Sequence, residues 1–166
     1  ALIWLDQALS IARDTGARRN EARILSELGE VYRRQGKFQE SIDYFTRAYE
    51  ISVEARAFHE QETALLGLGL VYQGLKYYEQ AQTYLRQAMT ISKEVGDPIT
   101  IVEEKLALAE LHILNKNFAD AKMLLASALE IATRTGLRAH RWQILYKQAL
   151  ILKEEKSFDK ALAAVN

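Results

Sequence analysis

The segment LSELGEVYRRQGKFQESIDYFTRAYEI, residues 25–51, decides the fold of this chain because its pattern returns along the sequence. Forty residues later the chain reads LLGLGLVYQGLKYYEQAQTYLRQAMTI, residues 65–91. A weaker copy occupies residues 105–131, and a partial one follows. Self-similarity at a period of this length is typical of an array of stacked supersecondary units, so we expect a repeat protein.

Each copy predicts two helices separated by a short turn, because its apolar residues recur at spacings of three and four. In the first full copy we expect helices from Arg19 to Gln35 and from Phe38 to Ala55. Small residues recur at equivalent positions of successive copies, 40 residues apart, and we call each such set of positions a column. Small residues in a column let paired helices approach closely. Glycine, which accepts the left-handed conformation, is expected to end helices at Gly16, Gly36, Gly96 and Gly136. Arg56 stands in the column of Gly16, so we predict that this turn closes differently.

The same columns divide the chain into one array of unequal pieces. We predict a half repeat at residues 1–20, repeats at 21–60, 61–100 and 101–140, and a partial repeat at 141–166. Asp97-Pro98 and Asn117 are expected to cap helices, and Lys76, Lys116 and Lys156 to lie next to turns. The apolar run 161–165 predicts an end that packs against further chain or a second copy.

Composition excludes several classes of function. The 166 residues contain 22 basic and 22 acidic side chains, a balance that disfavours a nucleic-acid binder. Cysteine is absent, which excludes disulfides and thiolate nucleophiles and fits a cytoplasmic protein. The longest apolar run, residues 64–72, is too short to span a membrane.

The sequence offers no set of residues for catalysis, a metal or a cofactor. None of His59, His112 and His140 has a second histidine or a carboxylate at the i, i+4 spacing of a helical metal site. The glycines around residues 67–74 lie in a helix-period stretch, where a phosphate loop lacks its strand and turn. We therefore predict a protein that is not an enzyme and binds no cofactor.

The motifs LGxxY at 28–32, GxFxxS at 36–41 and FxxA at 45–48 resemble the tetratricopeptide repeat. The 40-residue period is similar to the longer-helix variant of bacterial signalling and regulatory proteins and of kinesin light chains. The resemblance implies an all-α fold, a right-handed superhelical solenoid of antiparallel helix pairs. It also implies a concave groove lined by the first helix of each repeat, where proteins of this family bind peptides.

Carried over to this chain, the groove takes the positions beside the core stripe. They are Arg33, Arg34, Leu66, Leu70, Gln73, Leu106, Glu110, Ile113, Leu114, Tyr146, Lys147 and Leu150. In the first repeat these positions form a charged ladder, with Arg23–Glu27 and Glu30–Arg34 as compensating pairs. The helix at 64–72 is instead apolar nearly all round, so its second surface needs a cover.

Three arrangements would bury that apolar surface. They are a peptide or helix of a partner, an intramolecular segment of a longer protein, and tight packing between repeats. Gly67, Gly74 and Ala107 are expected to admit a ligand backbone. Arg33 and Arg34 at one end of the groove are expected to bind acidic residues that flank the ligand. Lys147 and Lys153 are expected to do the same at the other end.

The leading hypothesis is a protein–protein interaction scaffold that binds a peptide or helix in this groove. The alternative is a regulatory or self-assembly segment of a larger multidomain signalling or transcription-regulating protein. In that case copies would form a homo-oligomer through exposed repeat ends. Under either hypothesis we expect no nucleic-acid or membrane partner.

Overall fold

The computed structural model describes the backbone of residues 2–165 and the side chains of residues 2–94 and 96–156. These residues form eight helices and no strand, which confirms the all-α prediction. The helices are α1 (Leu2–Asp14), α2 (Arg18–Arg34), α3 (Phe38–Glu54), α4 (Phe58–Gly74), α5 (Tyr78–Val95), α6 (Pro98–Leu114), α7 (Phe118–Arg134) and α8 (Arg138–Val165). They divide into two compact units, unit 1 with α1–α5 up to Gly96 and unit 2 with α6–α8 from Asp97. The predicted boundaries between repeats stay a prediction.

Most turns between helices close through one residue in the left-handed conformation. The predicted glycines adopt it, with φ of 67° at Gly16 and 73° at Gly136. Arg56 adopts it too, with φ 51°, so the prediction of a different closure there is wrong. The next amide, of Ala57, donates to the Ser52 carbonyl at 2.9 Å, as the Ala17 amide does to the Ala12 carbonyl at 2.8 Å. A residue with a side chain loses about 1–2 kcal/mol in the left-handed conformation, and this hydrogen bond offsets that cost at Arg56.

The predicted helix starts in unit 2 are confirmed. Asp97 caps α6, since its carboxylate accepts from the Thr100 amide at 3.1 Å, and Pro98 follows at the first helical position. The Asn117 side chain accepts from the Asp120 amide at 3.5 Å at the start of α7. Both caps satisfy amides that have no partner inside the helix.

The last helix differs from the prediction. α8 continues through Lys156, so the turn expected beside that residue is wrong. The stretch Lys153–Lys156 consists of residues with high helix propensity and contains no glycine to stop it. The apolar run 161–165, expected to pack against further chain or a second copy, lies outside the residues whose side chains are described.

Over the described residues, no helix has the length and apolar character needed to cross a membrane.

In unit 1, one aromatic ring fills the space between three helices. Phe45 of α3 is only 2% exposed. A Cβ atom built on Gly29 of α2 would lie 2.9 Å from its ring, and one built on Gly67 of α4 would lie 2.2 Å from it. Ser41 of α3 also donates from Oγ to the Gly29 carbonyl at 2.7 Å. The two glycines therefore admit the ring, and α3 packs tightly against both α2 and α4.

This packing explains why α4 is apolar nearly all round. The helix contacts α2, α3 and α5, so tight packing between repeats covers much of its second surface. The expectation that Gly67 leaves room for a ligand backbone is wrong, whereas Gly74 is exposed and its part of that expectation stays a prediction. Phe45 occupies the space at Gly67, and a Cβ on Gly74 would lie 3.1 Å from the Phe38 ring.

The core of unit 2 uses the same columns as that of unit 1. Fully buried side chains of α6, α7 and α8 form it; they include Val102, Ala109, Leu125, Ala128, Ile144 and Ile151. The predicted small residues of the α6–α7 seam are thus in the core. Ala107, expected to line the groove, is buried as well.

A buried carboxylate joins α1 to α2 and gives unit 1 a dependence on pH. Glu21 is 3% exposed and accepts from Arg13 Nε and Arg18 Nη1, both at 2.9 Å. Burial raises the pKa of Glu21, but the hydrogen bonds and charges of the two arginines outweigh it, so the net pKa is lowered. The ionised carboxylate therefore stabilises the folded state above the unfolded pKa of about 4.3.

Replacing Glu21 with glutamine is expected to lower the unfolding free energy by about 1 kcal/mol at pH 7. The deficit should shrink as the pH falls below about 4, because wild-type Glu21 becomes protonated there and loses the same stabilisation. Urea unfolding of both proteins from pH 7 to pH 3 measures the difference. A constant difference across that range would contradict the role assigned to this carboxylate.

Candidate functional site

In unit 2, one ion pair and one histidine–carboxylate contact join α6 to α8. Lys147 Nζ lies 2.7 Å from Glu110 Oε2, and His140 Nε2 lies 3.5 Å from Glu103 Oε1. Because Ile113 follows Glu110 by three residues, the two side chains lie on the same face of α6. We call the surface formed by Glu110, Ile113, Leu114, Tyr146, Lys147 and Leu150 the α6–α8 surface.

The α6–α8 surface exposes two large apolar side chains beside its ion pair. Tyr146 is 71% exposed and Leu114 is 49% exposed. Ile113 and Leu150 are half-buried and extend the apolar area. All four belong to the predicted groove and lie within one helical turn of Glu110 or Lys147, the residues that join α6 to α8. Their role as a binding groove stays a prediction.

Leu106 does not belong to this surface. It was predicted to line the groove, but it is only 7% exposed and packs in the core of unit 2 with Val102 and Ala109. The helical period indicates which residues share a face, and it does not indicate which neighbouring helix covers that face. A partner cannot reach Leu106 without opening the core.

In unit 1, the equivalent surface lies on α2 and α4, which contact each other. Leu66, Leu70 and Gln73 of α4 are half-buried there. Gln73 Oε1 is buried and accepts no hydrogen bond in the structure. We call the surface formed by Arg33, Arg34, Leu66, Leu70 and Gln73 the α2–α4 surface; its apolar residues are less exposed than Tyr146 and Leu114 of unit 2.

The arginines of the α2–α4 surface are neutralised within their own helix. Glu30 accepts from Arg33 Nε at 2.7 Å and from Arg34 Nε at 2.6 Å. Burial raises the pKa of Glu30, and the hydrogen bonds from the two arginines more than reverse it, so the net pKa is lowered. Arg23 and Glu27 also pair, at 3.0 Å, which confirms the predicted ladder. An acidic flank of a ligand would have to compete with Glu30 for both arginines.

Sequence reasoning missed two exposed apolar surfaces outside the groove. Trp4 of α1 is 74% exposed and Trp142 of α8 is 75% exposed. The repeat pattern contains a signal that could have found them, because Trp4 lies 40 residues before Tyr44 and Trp142 lies 120 residues after the buried Ala22. The described part of the chain holds no group of three or more histidine or acidic side chains that could bind a metal ion.

Comparison with protein families gives two matches. Tetratricopeptide repeat models match residues 1–52 and residues 62–95, which together make up just over half of the chain. The chain is 24% identical over 97 residues to tetratricopeptide repeat protein 29 of Trypanosoma brucei brucei, covering 58% of this chain and 20% of that protein. It is 23% identical over 164 residues to outer dynein arm-docking complex subunit 4 of Mus musculus, covering 89% of this chain and 26% of that protein. The chain thus spans about a quarter or less of the length of these relatives.

Solved structures share the fold at low sequence identity. Aspartyl phosphate phosphatase F from Bacillus subtilis matches 95% of this chain and 42% of its own, with a TM-score of 0.84 and 14% identity. The tetratricopeptide domain of Arabidopsis FLU matches 68% of this chain and 95% of its own, with a TM-score of 0.63 and 20% identity. Similarity at this level shows the fold alone.

Proposed function

Because this chain belongs to the tetratricopeptide repeat family, whose repeats mediate protein–protein interaction, we propose that it is a protein-binding array with no catalytic role. Binding takes place on the inner faces of first helices, and the α6–α8 surface is the principal site. The ligand is a peptide or a helix of a partner protein. The neutral net charge favours a protein ligand over nucleic acid or a membrane, and the absence of cysteine fits a cytoplasmic location.

The observation that carries this proposal is the exposure of Tyr146 and Leu114 beside the Glu110–Lys147 ion pair. Tyrosine is enriched among residues that dominate binding energy, because its ring buries much area and loses little side-chain entropy. The ion pair offers one acceptor and one donor that a ligand backbone or side chain can engage. An apolar surface with convergent polar groups suits a peptide that presents apolar side chains at alternating or helical spacing.

The α2–α4 surface is a secondary part of the proposal. Its apolar residues, Leu66 and Leu70, are half-buried, and its arginines are paired with Glu30. Such a surface contributes complementarity rather than most of the affinity. We therefore expect Leu70→Asp to weaken binding less than a change at Tyr146.

Affinity capture from cell extract tests the α6–α8 surface. Tyr146→Asp is expected to lose a captured protein that the wild-type chain retains, with affinity reduced about 30-fold or more, because a charge replaces an apolar anchor. The matched control is Met123→Asp on α7, which is 70% exposed and lies outside both surfaces. Circular dichroism establishes that both variants are folded. Equal capture by Tyr146→Asp and the wild-type chain would exclude the α6–α8 surface as the site.

A further inference from the structure

The two helix pairs of unit 1 each contain a stacked pair of tyrosines. Tyr32 of α2 stacks on Tyr44 of α3 at 5.2 Å between ring centroids, and Tyr72 of α4 stacks on Tyr84 of α5 at 5.3 Å. Tyrosine ordinarily loses its proton at about pH 10, and burial raises the pKa of Tyr44 and of Tyr72 further. These contacts between first and second helices therefore carry no charge at neutral or mildly acidic pH.

In the α6–α7 pair of unit 2, a histidine and an aspartate meet instead. His112 of α6 stands in the column of Tyr32 and Tyr72, and Leu124 of α7 stands opposite it in the column of the second tyrosines. His112 Nδ1 lies 3.9 Å from Asp120 Oδ2 of α7. The side chain of His112 is 16% exposed and that of Asp120 is 49% exposed. The contact that replaces the stack thus contains a group that gains a proton in the physiological pH range.

The turn between α6 and α7 fixes both members of this contact. The Asn117 amide donates to the His112 carbonyl at 2.8 Å, across Lys116 in the left-handed conformation with φ 57°. The Asn117 side chain donates from Nδ2 to Asp120 Oδ2 at 2.6 Å. The carboxylate oxygen that faces His112 is therefore held in place by a hydrogen bond from the turn.

Two features of the structure favour a positive charge on His112. The carboxylate of Asp120 attracts it, since an aspartate ordinarily carries its negative charge above about pH 4. His112 also lies in the last turn of α6, where the helix dipole attracts cations. Burial opposes the charge, but the ring keeps part of its surface in water. Because the carboxylate and the dipole act together, we expect the attraction to prevail.

Other charged groups lie near the α6–α7 turn and at the matching positions of α8, and they weaken this attraction little. They are Lys116, Lys122, Lys153, Glu154, Glu155 and Lys156. All four lysines are exposed, so water and salt screen their repulsion. Lys122 also pairs with Glu155 at 2.5 Å. Over the described residues, Asp120 is the carboxylate that pairs with the His112 ring.

We propose that protonation of His112 tightens the α6–α7 pair, which makes unit 2 a pH-sensitive element of this chain. At about pH 8 a histidine ring is neutral, and at about pH 5.5 it is charged and forms an ion pair with Asp120. The added stability is therefore present at mildly acidic pH and is lost as the pH rises through the range in which histidine releases its proton. This inference does not depend on the proposed ligand site, because it concerns the stability of a helix pair and its test measures no binding.

Hydrogen exchange of the full chain, followed by mass spectrometry at peptide resolution, tests the proposal. Dividing the intrinsic exchange rate at each pH by the observed rate gives a protection factor for each peptide. We expect the protection of α6 and α7 to rise at least about threefold from pH 8 to pH 5.5. His112→Tyr should abolish the rise, because it restores the residue that unit 1 has in this column and tyrosine does not titrate in that range. Asp120→Asn should also abolish it, because it removes the negative charge and keeps an acceptor for Asn117.

The matched control is His59→Gln, which removes a histidine of unit 1. His59 is exposed and lies 3.8 Å from Glu62 of its own helix, so its loss should leave the rise in α6 and α7 unchanged. A wild-type chain whose α6 and α7 protection stays constant, or falls, as the pH is lowered would overturn the proposal. A rise that persists in both His112→Tyr and Asp120→Asn, or that disappears in His59→Gln, would overturn it as well.

Discussion

Truncation of Phe45 to alanine is expected to lower the unfolding free energy by about 3–5 kcal/mol. The ring is 2% exposed and fills the space between Gly29 and Gly67, neither of which has a side chain that could move into the cavity. The loss therefore combines the transfer free energy of the ring with the contacts of the cavity wall. Equilibrium unfolding in urea, followed by circular dichroism, measures it.

The matched control is Phe58→Ala at the start of α4. Phe58 is 55% exposed, so its truncation should change the unfolding free energy by no more than about 0.5 kcal/mol. Similar losses for the two variants would contradict the assignment of Phe45 to the seam between α2, α3 and α4.

Gly67→Ala is expected to destabilise the protein by about 2 kcal/mol, although helix propensity alone predicts the opposite sign. Alanine in a helix interior is favoured over glycine by about 1 kcal/mol. The added methyl would lie 2.2 Å from the Phe45 ring, and a ring packed between helices has little room to retreat. Overpacking of this severity costs about 3 kcal/mol, which exceeds the gain in propensity.

A double-mutant cycle separates the two effects. In the Phe45→Ala background the obstacle is gone, so Gly67→Ala should become stabilising by up to about 1 kcal/mol. This reversal of sign is the expected result. Destabilisation by Gly67→Ala in both backgrounds would show that the glycine serves a purpose other than admitting the ring.

Most of the fold follows from local sequence patterns. The small columns around Gly29 and the caps at Asp97 and Asn117 predicted helix pairs that the structure contains. Arg56 shows the limit of that reasoning, because the hydrogen bond from Ala57 to Ser52 and the packing of α3 on α4 impose a left-handed residue where no glycine stands. The length of α8 is a second limit. Lys156 stands in the column of Lys76 and Lys116, which lie at turns, but a lysine does not itself break a helix, and α8 continues through it.

The candidate site was harder to predict, because periodicity identifies faces but not neighbours. Tyr146 and Leu114, which periodicity assigned to the groove, are exposed, and the ion pair of Glu110 with Lys147 joins their two helices. Their part in binding stays a prediction. Periodicity also assigned Leu106 to the groove, and that residue is part of the core. Gly67 was misjudged for a related reason: the side chain that fills its space comes from α3, at a distance in sequence that helical spacing cannot show.

The central claim, that a partner protein binds the α6–α8 surface, is tested most directly by photo-cross-linking in cell extract. A photoreactive phenylalanine analogue replaces Tyr146 in one protein and Met123 in another, both at exposed positions of unit 2. We expect a partner protein to be cross-linked at position 146 and the same protein not to be cross-linked at position 123. No cross-link at position 146, or the same protein from both positions, would contradict it.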